Sequence, residues 1–491
     1  MLETIMNLLG FEKQLNVDTK QVTWRWRWKR EKVVPVQKVQ NDKPIEYLLN
    51  DMTTPDLVKT MAPPVPPAVP KFAVKNYQGG GFPRGSEQAE AANCHVTVTN
   101  TLHFFNKFTG RDGIKPLNKW GRTSILAVIP KAGVDLNAFY NGRSMQFFYF
   151  MDPSIKRVVS TADSSDIVAH ELGHAILDSH RPDTWSAASL EVWSFHEAFA
   201  DLTALLHIMS YDEILVHSLA ECGNDITKPS TMTRLAEDVG RAIYTLAGPE
   251  GGRHPDCLRS VINTFKYTDP AKLPEEAPHN ELAAECHSFG RVFLGAFYDF
   301  LVAVYQDTLS LGQEPLSALK HARDVTGQYV MRAIQNAPLN VRFYDSVGRT
   351  LLWVAKNTDG GRYYEQMRSA LTGRRIIGLG VKALNAAPTP AEGETMVKIQ
   401  STATVKLSDH FGLRAMSDNP LYEVEVEIPM EEAYLYDNDR NVIDSVTITP
   451  EESYSAAQDF INYLHKTNSV GDTASTPFEV KDGKLVRTFI D

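Results

Sequence analysis

The sequence predicts a mixed α+β protein, and three features carry that expectation. Short alternating or apolar runs mark residues 91–150. Helical spacing of apolar side chains takes over after about residue 160 and holds to about 375. Strand-like alternation then returns in the last hundred residues. With 491 residues, 43% hydrophobic and 22% charged, the chain can bury a large core without disulfide staples. At roughly 150 residues per domain its length suggests about three units.

Residues 1–90 read as an N-terminal extension. Trp24-Arg25-Trp26-Arg27-Trp28 alternates as a strand with one aromatic face does. Aromatic and basic side chains interleaved in this way could also stack on nucleic acid. Against that, 50 Lys+Arg face 60 Asp+Glu, a net charge of −10, which disfavours both nucleic acid and anionic membranes as partners. The stretch Pro63 to Pro70 is an extended polyproline spacer, expected to run over the surface as a tether or, where it crosses a cleft that binds extended chain, to act as an internal inhibitor. Gly79-Gly80-Gly81 lacks the strand and helix of a phosphate loop and reads as a flexible joint.

A β-rich lobe is expected over 91–180. His95-Val96-Thr97-Val98 alternates, Ser124 to Ile129 is apolar and Met145 to Phe150 is aromatic, so each reads as a strand. A helical lobe follows over 181–385, with helices predicted at Val292–Tyr305 and Leu316–Ile334. Residues 386–394, with Pro388, Pro390 and Gly393, read as a linker to a C-terminal α+β domain over 395–491. There Tyr422 to Ile428 alternates, and Phe478–Val480 and Leu485–Arg487 flank Asp482-Gly483, a hairpin signal. No run reaches the ~18 apolar residues of a membrane span. The opening residues carry Glu3, lack a basic start and have no continuous apolar stretch, so no signal peptide is read and a cytoplasmic location is expected. The four cysteines show no CxxC and are expected as free thiols, although two disulfides would also fit their number.

The chemistry concentrates in His170-Glu171-Leu172-Gly173-His174. Ser164 stands as a cap before Ile167, Val168, Leu172, Ile176 and Leu177, the pattern of a buried helix. Positions i and i+4 share a helix face, so His170 and His174 present two imidazoles together, as a zinc ion requires. Glu171 is placed to take a proton from water at the metal. A catalytic zinc needs a third protein ligand and an open position. Downstream, in Ser194-Phe195-His196-Glu197-Ala198-Phe199-Ala200-Asp201, Glu197 and Asp201 again share a face. Glu197 can close the site as a carboxylate ligand, and Asp201 can accept the second ring N–H of a ligand histidine. Acids bounded by Phe199, Leu202 and Leu205 are costly to bury without a partner, and a metal supplies one.

HELGH followed by HEAFAD resembles the thermolysin-like zinc metallopeptidases, over roughly residues 91–380. Three further stretches are similar to the family's motifs and occur in its order. Asn137 to Gly142 resembles the edge strand that holds the substrate backbone, which assigns Asn137 and Ala138 to substrate binding. Leu258-Arg259-Ser260 resembles the segment whose arginine contacts the substrate, and Glu285 to Gly290 resembles the one whose histidine, here His287, stabilises the oxyanion. The resemblance implies a two-lobe zincin architecture with the metal helix between the lobes, one Zn2+ per chain, and peptide or protein substrates. Several departures stand out. Residues 175–196 contain no tyrosine, where the family usually carries a second oxyanion donor. Leu282 replaces an aspartate upstream of the histidine, and Glu281 or Glu285, although out of register with it, could orient His287 instead. Asp166 is the one match to the family's calcium carboxylates, so no paired calcium site is expected. The expected function is zinc-dependent peptide hydrolysis with Glu171 as general base. The alternative is a zincin-fold binding protein with little or no activity, motivated by the absent tyrosine and the unusual extension.

Overall fold

The computed structural model describes residues 11–18, 21–28, 46–48, 59–61, 65–66, 69–77, 86–152, 156–378, 387–411, 419–471 and 476–490. The triglycine at 79–81 and half of the polyproline stretch lie outside them. The protein is α+β. Strands β1 (Phe11–Asp18) and β2 (Gln21–Trp28) form an antiparallel hairpin, with Trp24 to Trp28 in a strand as their alternation predicts. β3 (Glu46–Leu48) pairs antiparallel with β4 (Lys59–Met61).

After Pro70 the chain enters the main five-stranded sheet. β5 (Phe72–Val74) runs parallel to β6 (Leu126–Val134), and β6 parallel to β8 (Ser144–Asp152). Along its length β8 also takes two antiparallel partners, β7 (Ala138–Tyr140) and β9 (Arg157–Ser160). β5 and β7 thus lie at opposite ends of the sheet. The polyproline stretch leads into the β5 end.

Helix α1 (Glu87–Asn106) corrects one expectation: His95–Val98 is helical, not a strand. Ser86 caps the helix, its Oγ accepting from Ala89 N–H at 3.2 Å. Residues 89–99 are buried on every side. Such a helix has no polar face, so its sequence carries no 3.6-residue signal and a short window reads as alternation.

The helical lobe comprises α2 (Ser165–His180), α3 (Leu190–Ile208), α4 (Asp212–Cys222), α5 (Glu237–Ala247), α6 (Cys286–Ser310), α7 (Pro315–Asn336), α8 (Phe343–Asn357) and α9 (Tyr364–Gly373). Helix is interrupted between α5 and α6 by largely irregular chain, in which β11 (Arg259–Ser260) pairs with β10 (Arg234–Leu235), the strand just before α5. Pro249, Pro255, Pro270, Pro274 and Pro278 lie there, each lacking the N–H a helix requires. By length and composition α6 could cross a membrane, but 72% of its most apolar window is buried inside the protein.

The last hundred residues form two small sheets. One has the order β12 (Met396–Ile399), β15 (Glu432–Tyr436), β16 (Val442–Val446). The other runs β13 (Thr402–Lys406), β14 (Glu425–Pro429), β18 (Lys484–Arg487), β17 (Phe478–Lys481). Asp482 (φ 50) and Gly483 (φ 76) close the β17–β18 hairpin in the left-handed region, as its two-residue turn demands. The alternation at 422–428 becomes strand only from Glu425, because Pro420–Glu423 forms a 3-10 turn. Helix α10 (Pro450–Lys466) begins with a Thr449–Glu452 capping box.

These elements share a core with the helical lobe. Leu190 and Trp193 of α3 and Cys286 of α6 cluster with Val426, Ile428, Phe460, Ile461 and Phe478. Ala188 N–H donates to Glu427 O at 2.8 Å. At the other end of the unit, Ile490 forms an antiparallel bridge with Tyr140 on the outer edge of β7. All four cysteines are free and buried.

Candidate active site

Helices α2 and α3 pack antiparallel, as the pairing of His170 with Asp201 and of His174 with Glu197 shows. The approach is close because Gly173 faces α3: a Cβ there would meet Ala200 Cα at 2.7 Å. α6 reaches the other side of α3 through Gly290, where a Cβ would lie 3.0 Å from Ser194 O and 3.1 Å from Glu197 Cβ. Two small residues thereby bring His170, His174, Glu197 and His287 to one point.

His170 Nε2 lies 3.1 Å from His174 Nε2 and 3.3 Å from Glu197 Oε2. His174 Nε2 is 3.7 Å and His287 Nε2 is 3.2 Å from the same oxygen. With bonds of 2.0–2.1 Å, the ligand–ligand edge of a tetrahedral zinc site is about 3.3–3.4 Å. The two histidines of α2 and Glu197 are spaced accordingly.

Burial makes the case stronger. The whole of α3 is buried, so every polar group on it needs a partner. Glu191 accepts from Tyr267 OH and Tyr344 N–H, at 2.6 and 2.9 Å. His196 pairs with Thr184 Oγ1 and His207 with Thr101 Oγ1. Asp201 accepts from Arg259 Nε and pairs with His170 Nδ1. Glu197 differs from the other two acids of α3: it is 1% exposed, and neither carboxylate oxygen has a hydrogen-bond partner, although imidazole nitrogens crowd Oε2. A carboxylate and two imidazoles aimed at one buried point fit a divalent cation.

The two histidines of α2 shift in opposite directions: burial lowers the His170 pKa but its bonds to Asp201 and Glu197 raise it above the usual value, whereas the His174 shift is downward. Burial, reinforced by His170 and His196, lowers the His174 pKa well below its usual range, which keeps the ring neutral as a metal ligand must be. Burial alone would raise the Asp201 pKa, but Arg259 and His170 hold it down to about 2, so it stays ionised. Its bond to His170 Nδ1, at 2.9 Å, fixes the ring with Nε2 toward Glu197.

The other residues singled out in the sequence fall around this point. Glu171 is buried on α2 at 2% exposure. Arg259 commits its Nε to both oxygens of Asp201, at 2.9 and 2.8 Å, and brings Nη2 within 3.3 Å of His170 Nδ1. Ala138 is buried in β7, and its N–H donates to the side chain of the half-buried Asn137 at 2.8 Å. Asp166, the calcium candidate, accepts from Ala236 N–H at 2.9 Å and so anchors the start of α5.

The sequence reading left the partner of His287 open, and the structure supplies it. Glu285 Oε1 lies 2.6 Å from His287 Nδ1, and the same carboxylate caps α6 by accepting from His287 and Ser288 N–H. An acid at a helix cap, two residues before the histidine, was the available signal. The segment 175–196 presents Trp185, which stands edge-on to Tyr140 with ring centroids 5.8 Å apart and donates its indole N–H to Arg487 O.

The clustered imidazoles and carboxylate form a candidate metal centre among the described residues. Residues 38–178 match the family model described as thermolysin metallopeptidase, catalytic domain, and this match supports a thermolysin-like metallopeptidase. The match ends within α2, beyond His174. No curated protein matches the chain.

Proposed function

We propose that the protein is a zinc-dependent peptidase whose metal is held by His170, His174 and Glu197. The observation that carries this reading is the buried convergence of two imidazole nitrogens and an otherwise unpartnered carboxylate at 3.1–3.7 Å. When bound, zinc supplies a Lewis acid that polarises the scissile carbonyl and acidifies water. Glu171 then takes the proton from the attacking water on its carboxylate and passes it to the leaving amine. Asp201 holds His170 in the tautomer that leaves Nε2 free. His287, oriented by Glu285, donates from Nε2 to the oxyanion as charge develops, and the guanidinium of Arg259 adds positive charge on that side. Asn137 and Ala138 hold an extended peptide as an added strand on β7.

Metal analysis and turnover test this together. The purified protein should carry about one zinc per chain, and His170→Ala with His174→Ala should abolish it. Glu171→Gln should retain zinc and fold while turnover on a quenched peptide falls by orders of magnitude. Full zinc occupancy in the double variant would overturn the ligand assignment, and wild-type turnover in Glu171→Gln would exclude the base.

A further inference from the structure

The edge assigned to substrate is already paired. Tyr140 N–H donates to Ile490 O at 2.9 Å, and Ile490 N–H donates to Tyr140 O at 2.8 Å. These are the two bonds of an antiparallel pair, made on the side of β7 that faces away from β8. The contact continues in the side chains. Ile490 is fully buried in the main core, and the Phe489 ring lies 5.1 Å from that of Phe139. Thr488 N–H donates to Pro477 O at 2.9 Å and its hydroxyl to Thr476 O at 2.7 Å. Arg487 O receives the indole N–H of Trp185 at 3.3 Å.

This strand lies beside the metal helix. Tyr140 OH donates to Asp178 Oδ2 at 2.8 Å. Asp178 is one turn, about 6 Å, beyond His174 on the same face of α2. At the other end of β7, Asn137 O accepts from Thr161 Oγ1 at 3.1 Å, just before α2 begins. From Tyr140 to Asn137, β7 therefore runs from the Asp178 end of α2 toward the turn that precedes the helix. An antiparallel strand entering at Tyr140 is directed the same way. By the two-residue period of a strand, the Ala138 backbone groups face the same outer edge, one pairing step nearer that turn.

We infer that Thr488–Ile490 occupies, in cis, the strand site that β7 offers to peptide substrate, so that the chain's own end competes with substrate for the cleft. The inference rests on the proposed role of β7 as the substrate edge. Two extended chains cannot both pair with Tyr140, so substrate binds there only when the end strand is displaced. The occupant also indicates the class of peptide the edge takes: an aromatic side chain against Phe139, followed by a β-branched aliphatic residue opposite Tyr140. The described residues of the polyproline stretch lead into β5, at the far end of the sheet, and do not occupy this position.

The test compares the intact chain with a variant ending at Arg487 and with the full-length Ile490→Pro variant, which loses the N–H donated to Tyr140. On a quenched peptide containing Phe-Ile, both variants should show KM lowered about tenfold or more with kcat little changed. A fluorescein-labelled Val-Arg-Thr-Phe-Ile peptide should bind the shortened chain saturably, compete with substrate, and fail to bind the intact chain. The binding readout does not need catalysis. If the shortened chain binds the labelled peptide but cleaves nothing when loaded with zinc, the strand site stands and the peptidase reading fails. If the variants fold and cleave with unchanged KM and do not bind the peptide, the end strand is only structural and the inference fails. Loss of folding in both variants would also overturn it, because a strand that holds the fold together is not displaced by substrate.

Discussion

Replacing Gly173 by alanine tests whether the α2–α3 contact sets the metal geometry. The added Cβ would sit 2.7 Å from Ala200 Cα and 3.1 Å from Thr203 Cβ. Favourable carbon contacts lie at about 3.5–4.0 Å, so the helices must separate by roughly 0.8 Å or more. Ala200 Cα is backbone and cannot rotate away. Overpacking of this kind costs about 1–3 kcal/mol, while alanine gains about 1 kcal/mol of helix propensity over glycine. The net change in metal-free stability is therefore about 0–2 kcal/mol. The metal site responds more strongly. His170 and His174 ride on one helix and Glu197 on the other, and a site tolerates only about 0.5 Å of displacement. Zinc affinity should fall on the order of 10–100-fold, comparable to losing a supporting hydrogen bond to a ligand. Competition against a chromogenic chelator measures this, and calorimetry with and without zinc measures the fold. Gly373→Ala in α9, where nothing lies within 4 Å of the new Cβ, is the control for propensity alone. A folded Gly173→Ala protein with wild-type zinc affinity would refute the argument.

Three further outcomes follow from individual contacts. Asp201→Asn should weaken zinc binding by about 10–100-fold, because the neutral amide loses the negative charge that His170 Nδ1 and Arg259 both face; chelator competition reads it, and unchanged affinity would remove Asp201 from the site. Glu285→Gln should keep zinc but lower kcat/KM on the order of tenfold, about 1.4 kcal/mol, through loss of the carboxylate that aligns His287; steady-state kinetics on a quenched peptide check it. Burial pushes the Glu191 pKa up to about 7, against the lowering effects of Tyr267, the Tyr344 N–H and Arg342. A carboxyl whose folded pKa is raised costs stability as pH rises from its unfolded value of about 4.5 through 7. Glu191→Gln should therefore gain about 2–3 kcal/mol relative to wild type between pH 4.5 and 8, and parallel urea-denaturation curves across that range would refute the prediction.

The sequence revealed the residues of the site more readily than their supports. HELGH exposed the candidate ligands because helical spacing alone puts His170 and His174 on one face. Glu197 and Asp201 were legible because two acids on an apolar helix call for partners. Glu285 was legible only as one of two candidates to orient His287, because the choice over Glu281 depends on a helix cap, which local sequence suggests but does not orient. His95–Val98 was misread because a helix buried all round shows no amphipathic period. The strand at Ile490 had no local signal at all. Its partner, Tyr140, lies about 350 residues away, and edge pairing over such a separation leaves no pattern in either segment.

That separation orders events during synthesis. At about 5–20 residues per second, roughly 20–70 s pass between the making of Tyr140 and of Ile490. Over that interval the β7 edge is bare, and in its second half, once Ser310 has been made, α2, α3 and α6 are all available to close around a metal. A bare edge strand is a template for any extended chain, including the nascent protein's neighbours. The nascent chain therefore passes through a stage in which the ligands can gather before the cleft is covered. Substitutions that weaken the Ile490 bridge would then be felt first as misassociation during production and only afterwards in the finished protein.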